Sequence, residues 1–227
     1  MSELGGTGRH VLLVSGLARE SRIGRGPGVV TLCGNAARLA ALLDAQSAAN
    51  LKAVISFGIA GGLDPALEPG NLVLAVRVHY GSQTWTADPP LVSSLSQNFA
   101  AAGLATRHGA IAGVDAPVMT PAGKAEQRAV TGADAVDMES HLVAAYAAKH
   151  GLPFCALRVI SDPATRALPA AASRAVKPDG RIDLAAVLKN MPRRPAHVGP
   201  MIAAARDAAA AFGALGRCRR LLGVAHL

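Results

Sequence analysis

The sequence predicts an α/β three-layer sandwich, with a mostly parallel, mixed central sheet covered by helices. Two observations carry this. Short apolar runs alternate along the chain with Ala/Leu-rich stretches of helical length, the pattern of strands joined by helical crossovers. Hydrophobic residues make up 51% of the chain but aromatics only 3%. Val, Leu, Ile and Ala must therefore fill the core, as they do in strands buried on both faces. The 227 residues show no internal repeat, linker or composition break. One domain, residues 1–227, is expected, with 190–227 as its basic helical extension.

Each element follows from its local pattern. His10–Ser15 (HVLLVS) is an apolar run stopped by Gly16 and reads as the first buried strand. LARESRIGRGPG reads as a polar loop, and Asn35–Ala49, rich in Ala and Leu, as a helix. Ala53–Phe57 (AVISF) is a second buried strand, and the GIAGG after it, Gly58–Gly62, reads by itself as a tight turn. Leu72–Val78 is the third strand, GSQTWTADPP a loop, Pro89–Ala102 a helix, and Thr106–Val114 a further strand. A short helix is expected over Pro121–Val130. A strand remnant at Ala135–Val136 feeds a helix in DMESHLVAAYAAKHG, closed by Gly151. Leu152–Ile160 is the last core strand; a loop at 163–178 and helices near 182–191 and 200–222 complete the chain.

The net charge of +8 is local. From Leu188 onward there are seven Lys/Arg and one acid, Asp207, so the basicity describes a tail. Cys33, Cys155 and Cys218 have no metal-ligand spacing and read as small buried hydrophobes in a reducing compartment. His79, His108 and His141 also lack ligand spacing, so no metal is expected. MSELGGTGRH has no apolar leader run and no stretch reaches membrane-spanning length, so a cytoplasmic protein is expected. Without GxGxxG after the first strand or a GxxxxGK[ST], neither a dinucleotide-dependent oxidoreductase nor a P-loop enzyme fits. A nucleic-acid binder would explain the basic tail, but not carboxylates at strand ends.

Those strand ends hold the unusual residues: Gly16–Glu20, Gly58–Gly62, Asp137–Glu139 and Ser161–Asp162. Ligands bind outside the carboxyl ends of strands in such sheets. Taken singly, each segment has a plain reading. Asp137 and Glu139 suit a helix start, Asp162 before Pro163 suits a turn, and Lys124 and Arg128 read as solvated.

In order and spacing, VISFGIAGGLDPALEPGNLVLA (54–75), AVDMES (135–140) and ALRVISDPA (156–164) resemble the purine nucleoside phosphorylase/methylthioadenosine–S-adenosylhomocysteine nucleosidase superfamily over roughly residues 10–165. GLARESRI, GVDAPV, TGADAVDMESH, DPATRALPAAA and PDGRIDL are most similar to its hopanoid-associated branch, which is thought to remove adenine from adenosylhopane.

The resemblance implies a nucleoside phosphorylase-like fold and cleavage of an N-glycosidic bond. Asp162 would protonate the purine at N7 and Glu139 would accept hydrogen bonds from the ribose hydroxyls. Met138 would lie against sugar and base, Val118 and Pro117 at the purine edge, Ala60 and Gly61 on the pocket floor, and Ser161 beside the acid. Glu20, the acid of the first loop, would position the nucleophile, although an ungapped count puts Ser21 there.

Phosphorylases of the family hold phosphate with an Arg and a Ser where this chain has Ser56 and Ile59. Hydrolysis is therefore expected. Phosphorolysis, with phosphate as co-substrate on Arg22 and Arg25, is the alternative, as is methylthioadenosine/S-adenosylhomocysteine nucleosidase activity. No other cofactor is expected. A homodimer is the default assembly, and the basic tail suggests weak peripheral contact with the inner membrane.

To serve as a proton donor at neutral pH, an Asp must sit in a desolvated pocket, because its ordinary pKa is about 3.9. Desolvation is thus the expected device at Asp162.

Overall fold

The computed structural model describes residues 9–168, 177–181 and 198–223. The helix expected near 182–191 lies outside these, as do Lys189, Arg193 and Arg194 of the basic tail.

Eight strands and six helices form the described fold: β1 (His10–Ser15), α1 (Ala18–Gly24), β2 (Val29–Cys33), α2 (Ala36–Ala45), β3 (Leu51–Gly62), β4 (Leu72–Tyr80), β5 (Gln83–Thr86), α3 (Pro89–Ala101), β6 (Thr106–Gly113), α4 (Pro121–Thr131), β7 (Ala135–Asp137), α5 (Ser140–His150), β8 (Phe154–Asp162) and α6 (Val198–Leu221). The sheet is mixed, as expected. β1–β2, β1–β3, β3–β8, β4–β6 and β6–β7 pair parallel; β3–β7, β4–β5 and β4–β8 pair antiparallel. Because β7 bonds both β6 and the end of β3, the strands β3, β8, β4, β6 and β7 close into a ring.

Two cores flank this sheet. On one face Phe57, Leu74 and Leu157 pack with Leu95 and Phe99 of α3 and with Phe212 and Leu215 of α6. On the other, Leu12, Val14 and Val54 pack with Leu39 and Leu43 of α2 and with Val143 and Tyr146 of α5. Helix starts follow their capping residues. Asn35, Asp88 and Thr120 accept the backbone N–H of Arg38, Leu91 and Gly123, and Gly132 and Gly151 end α4 and α5 with left-handed φ of 67° and 62°.

Four local expectations change. LARESRIGRGPG is not all loop: its first half is α1. VVTLC, unassigned on the sequence, is the edge strand β2, and QTWT, read as loop, is β5, with Trp85 packed against the second core. GIAGG is not a turn but the end of β3. Glycine is required there for close approach: a Cβ on Gly58 would stand 2.6 Å from Glu20 Oε1 and collide with the Arg158 guanidinium.

α6 is part of the core, not an appended tail. It buries Ala211, Phe212, Leu215 and Cys218. Arg19 of α1 stacks over the Phe212 ring at 4.1 Å, and Arg219 Nε donates to Gly24 O at 2.7 Å. Among the described residues, no helix is long and apolar enough to cross a membrane.

Candidate active site

A cavity of about 400 Å³ opens where β1, β3, β7 and β8 end. Four carboxylates line it: Glu20, Asp137, Glu139 and Asp162. No Lys or Arg does so among the described residues. Apolar walls come from Leu17, Ala36, Ile59, Val114, Val136 and Leu168.

Most of the expected site residues meet here. Met138, Val118, Pro117, Ala60 and Ser161 line the cavity together with Glu20, Glu139 and Asp162. Gly61 lies behind Asp162, where a Cβ would stand 3.2 Å from Oδ2, and does not line the cavity itself. Arg22 and Arg25 are not brought in. Both lie on or just after α1, outside the cavity lining, because the helix turns its buried side, Glu20 and Ser21, inward and its arginines outward.

Glu20 is held rigidly at the end of β3. Oε1 accepts from Ile59 N at 2.7 Å and Oε2 from Leu17 N at 2.8 Å. Burial raises its pKa, opposed by Arg158 and by these two N–H groups. Glu139 stands at the N-cap position of α5, without a side-chain hydrogen bond to the helix start, and lies so close to Gly16 that a Cβ there would be 2.5 Å from Oε1. Burial pushes the Glu139 carboxyl up from the usual glutamate value of 4.5 to about 8, against the pull of Arg158.

Beneath them is Arg158, fully buried on β8, with Nε 2.5 Å from Asp137 Oδ2 and Nη2 3.6 Å from Glu139 Oε2. Nη2 also donates to Ser56 Oγ at 2.6 Å, and Nε to Ser140 Oγ at 3.3 Å. Burial works against its charge, but Asp137, Glu139 and Glu20 together raise its pKa above the ordinary arginine value. Asp137 does more than complement a helix dipole. Its Oδ1 accepts from Ser140 N at 3.0 Å, while Oδ2 takes the guanidinium and the Ser140 hydroxyl.

Sequence reasoning gave Arg158, Ser56 and Ser140 no role, and Asp137 only that of a helix-start acid. The available signal was an arginine inside the apolar strand FCALRVISD, since a charge at a buried strand position needs a partner.

Asp162 differs most from expectation. The sequence reading required desolvation alone, but the structure gives this carboxylate a cationic partner. Lys124, read as solvated, is 0% exposed, and its Nζ lies 2.5 Å from Asp162 Oδ2. Nζ also donates to Pro163 O at 2.8 Å and to Arg166 O at 3.1 Å. Ser161 Oγ lies 2.8 Å from Asp162 Oδ1 and 3.2 Å from Ala60 O, so its single proton serves one of them at a time. α4 has a buried side facing the 163–168 segment, so its one inward lysine ends on the carboxylate.

The shift at Glu139 makes stability depend on pH. The folded state favours the protonated carboxyl, so this contribution is complete below 4.5 and is lost as pH rises through about 8. Melting temperatures of Glu139→Gln are expected to fall less than those of the wild type across that interval, as read by thermal denaturation. Parallel curves for the two proteins would remove the assignment.

Comparison with known proteins agrees with this architecture. The family model described as "Phosphorylase superfamily" matches residues 8–191. Futalosine hydrolase of Helicobacter pylori strain 26695 superposes with a TM-score of 0.71 at 14% identity, over 94% of this chain and 97% of that one. A mutant of the Helicobacter pylori nucleosidase MTAN, solved with 5'-methylthioadenosine in its active site, gives 0.63 at 18% identity, over 70% and 87%. A Colwellia psychrerythraea 34H methylthioadenosine/S-adenosylhomocysteine nucleosidase in complex with adenine gives 0.59 at 19%, over 70% and 84%. At these identities the likeness is one of fold. No curated protein matches the chain.

Proposed function

The chain belongs to the phosphorylase superfamily, and from that premise we propose that it is a nucleosidase, releasing a purine base from an adenosine-type nucleoside by hydrolysis of the N-glycosidic bond. One observation carries the choice of water over phosphate: among the described residues, the cavity is lined by four carboxylates and no cation. A phosphate dianion would enter beside Glu20 and Glu139 with no arginine or lysine of that lining to receive it. Water needs only an acceptor, which the fixed Glu20 supplies.

In this reading the base lies between Val118, Pro117 and Asp162, and the ribose diol donates to Glu139. The two oxygens of that carboxyl match the two hydroxyls of a vicinal diol. The C–N electron pair leaves with the base, which is protonated from the Asp162 side. Water beside Glu20 adds to the oxocarbenium-like sugar and gives up its proton there. Arg158 touches none of the reacting atoms; it keeps three carboxylates together in one small volume.

We read the full chain as one domain carrying this chemistry, working as a homodimer. Adenosylhopane, and with it a part in hopanoid biosynthesis, is the substrate supported by the branch-like segments GLARESRI and GVDAPV, which contribute Leu17, Glu20, Val114, Pro117 and Val118 to the cavity wall. The basic residues Arg206, Arg217 and Arg220 of α6 support weak, salt-sensitive contact with an anionic membrane that holds such a substrate.

Base release should be measured by chromatography from adenosylhopane, methylthioadenosine, S-adenosylhomocysteine and inosine, with and without inorganic phosphate. The expected result is adenine plus free sugar at a rate indifferent to phosphate. A phosphate-dependent rate with a sugar phosphate product would replace hydrolysis by phosphorolysis. No base from any of the four would end the proposal.

A further inference from the structure

The buried ammonium of Lys124 is not needed to line the cavity or to bind the sugar, yet it sits on the carboxylate that faces the base. We propose that Lys124 is the source of the proton the departing purine takes, with Asp162 as the group that passes it on. This rests on the nucleosidase reading and adds to it where the proton begins.

The hydrogen-bond geometry fits both ends of such a transfer. An ammonium has three N–H donors and no acceptor. Here all three are used, on Asp162 Oδ2, Pro163 O and Arg166 O. After giving one proton to Oδ2, the neutral amine keeps two N–H groups for the two backbone carbonyls. Its new lone pair accepts the carboxyl O–H. While the proton rests on Oδ2 no buried polar group loses its partner, so this first shift carries no penalty of an unsatisfied group.

Among the described residues no competing ion holds Lys124 in place. Asp162 of β8 is the ionisable side chain bonded to it. Arg128, on the same helix, is taken by Asp64, and the guanidinium of Arg166, whose carbonyl Lys124 binds, is on Asp207 of α6.

The step balances. As the C–N bond breaks, its electron pair stays on the base and negative charge builds on the heterocycle. The Nζ proton moves to Oδ2, and the resulting carboxylic acid hands its proton to N7. The products are the neutral base, the Asp162 carboxylate and a neutral Lys124 amine, which regains a proton from water once the base has left. Lys124 acts through Asp162 and is in that sense a positioning residue.

The test uses the full chain carrying Lys124→Gln, which keeps two N–H donors for the carbonyls but has no proton to give, and Lys124→Ala with and without added primary alkylamines. Two substrates are compared: an adenosine-type nucleoside the wild type cleaves, and para-nitrophenyl riboside, whose leaving group departs without a proton. Lys124→Gln is expected to lower kcat for adenine release by about 10²-fold or more, with KM nearly unchanged. Turnover of the nitrophenyl riboside should stay at the wild-type level. Alkylamines should restore adenine release in Lys124→Ala.

Equal losses on both substrates, or no response to amines, would reduce Lys124 to a pin for the 163–168 segment and overturn the proposal. Undiminished adenine release by Lys124→Gln would do the same. A wild type that releases no base at all would instead remove the nucleosidase reading, and this inference with it.

Discussion

Asp162→Asn is expected to lower kcat for base release by about 10²- to 10⁴-fold, the range that loss of a placed proton-transfer group produces. The amide keeps the shape of the carboxylate but cannot take a proton from Lys124 and return it to the base. The substitution has a second effect that must be separated from the first. It leaves the Lys124 ammonium, 0% exposed, without its counter-charge, and removing one partner of a buried pair costs about 3–5 kcal/mol. The double variant Asp162→Asn/Lys124→Gln pairs two neutral amides and should regain most of the lost melting temperature. Its kcat should stay low. Turnover near the wild-type rate in either variant, measured at saturating nucleoside, would remove Asp162 from the chemistry.

Replacing Arg158 is expected to damage the fold as well as the site. Its guanidinium is in contact with Asp137 and Glu139 and is the cation opposing Glu20. Arg158→Met is close in volume, but leaves three buried carboxylates with no positive charge among them. A loss of about 3–5 kcal/mol is expected. For a chain of this size that lowers Tm by about 6–20 °C. The sign of the pH dependence follows. Without Arg158 the carboxyls favour protonation still more in the folded state, so the deficit should grow from acid toward alkaline pH. Differential scanning calorimetry across that range reads both. A variant as stable as the wild type at alkaline pH would mean that the three carboxylates do not depend on this arginine.

The site was partly legible as sequence because its direct contacts come from short segments at strand ends. Gly16–Glu20, Asp137–Glu139 and Ser161–Asp162 each follow an apolar run, and the fold brings all three to one cavity. What escaped was the layer beneath. Lys124 lies in PAGKAEQRAVT, whose polar composition reads as a solvated helix, and only the docking of α4 against the 163–168 segment shows that one side of it is closed to water. Arg22 and Arg25 erred in the opposite sense. Their place in the first loop suggested an anion site, but α1 is helical and turns them outward.

Alternation of apolar and helical stretches determined the three-layer class, the order of the main elements and the positions of most strands. These depend on local periodicity, which a sequence displays directly. β2 and β5 were missed because short edge strands owe their conformation to a neighbour's backbone more than to their own pattern. The continuation of β3 through GIAGG was missed for a related reason: glycine is needed there to admit Glu20 and Arg158, residues 38 and 100 positions away in opposite directions along the chain. Tertiary structure alone decided which charges face each other. The pairing of Lys124 with Asp162, and of Arg158 with Asp137 and Glu139, depends on distances across the fold that no spacing along the chain encodes.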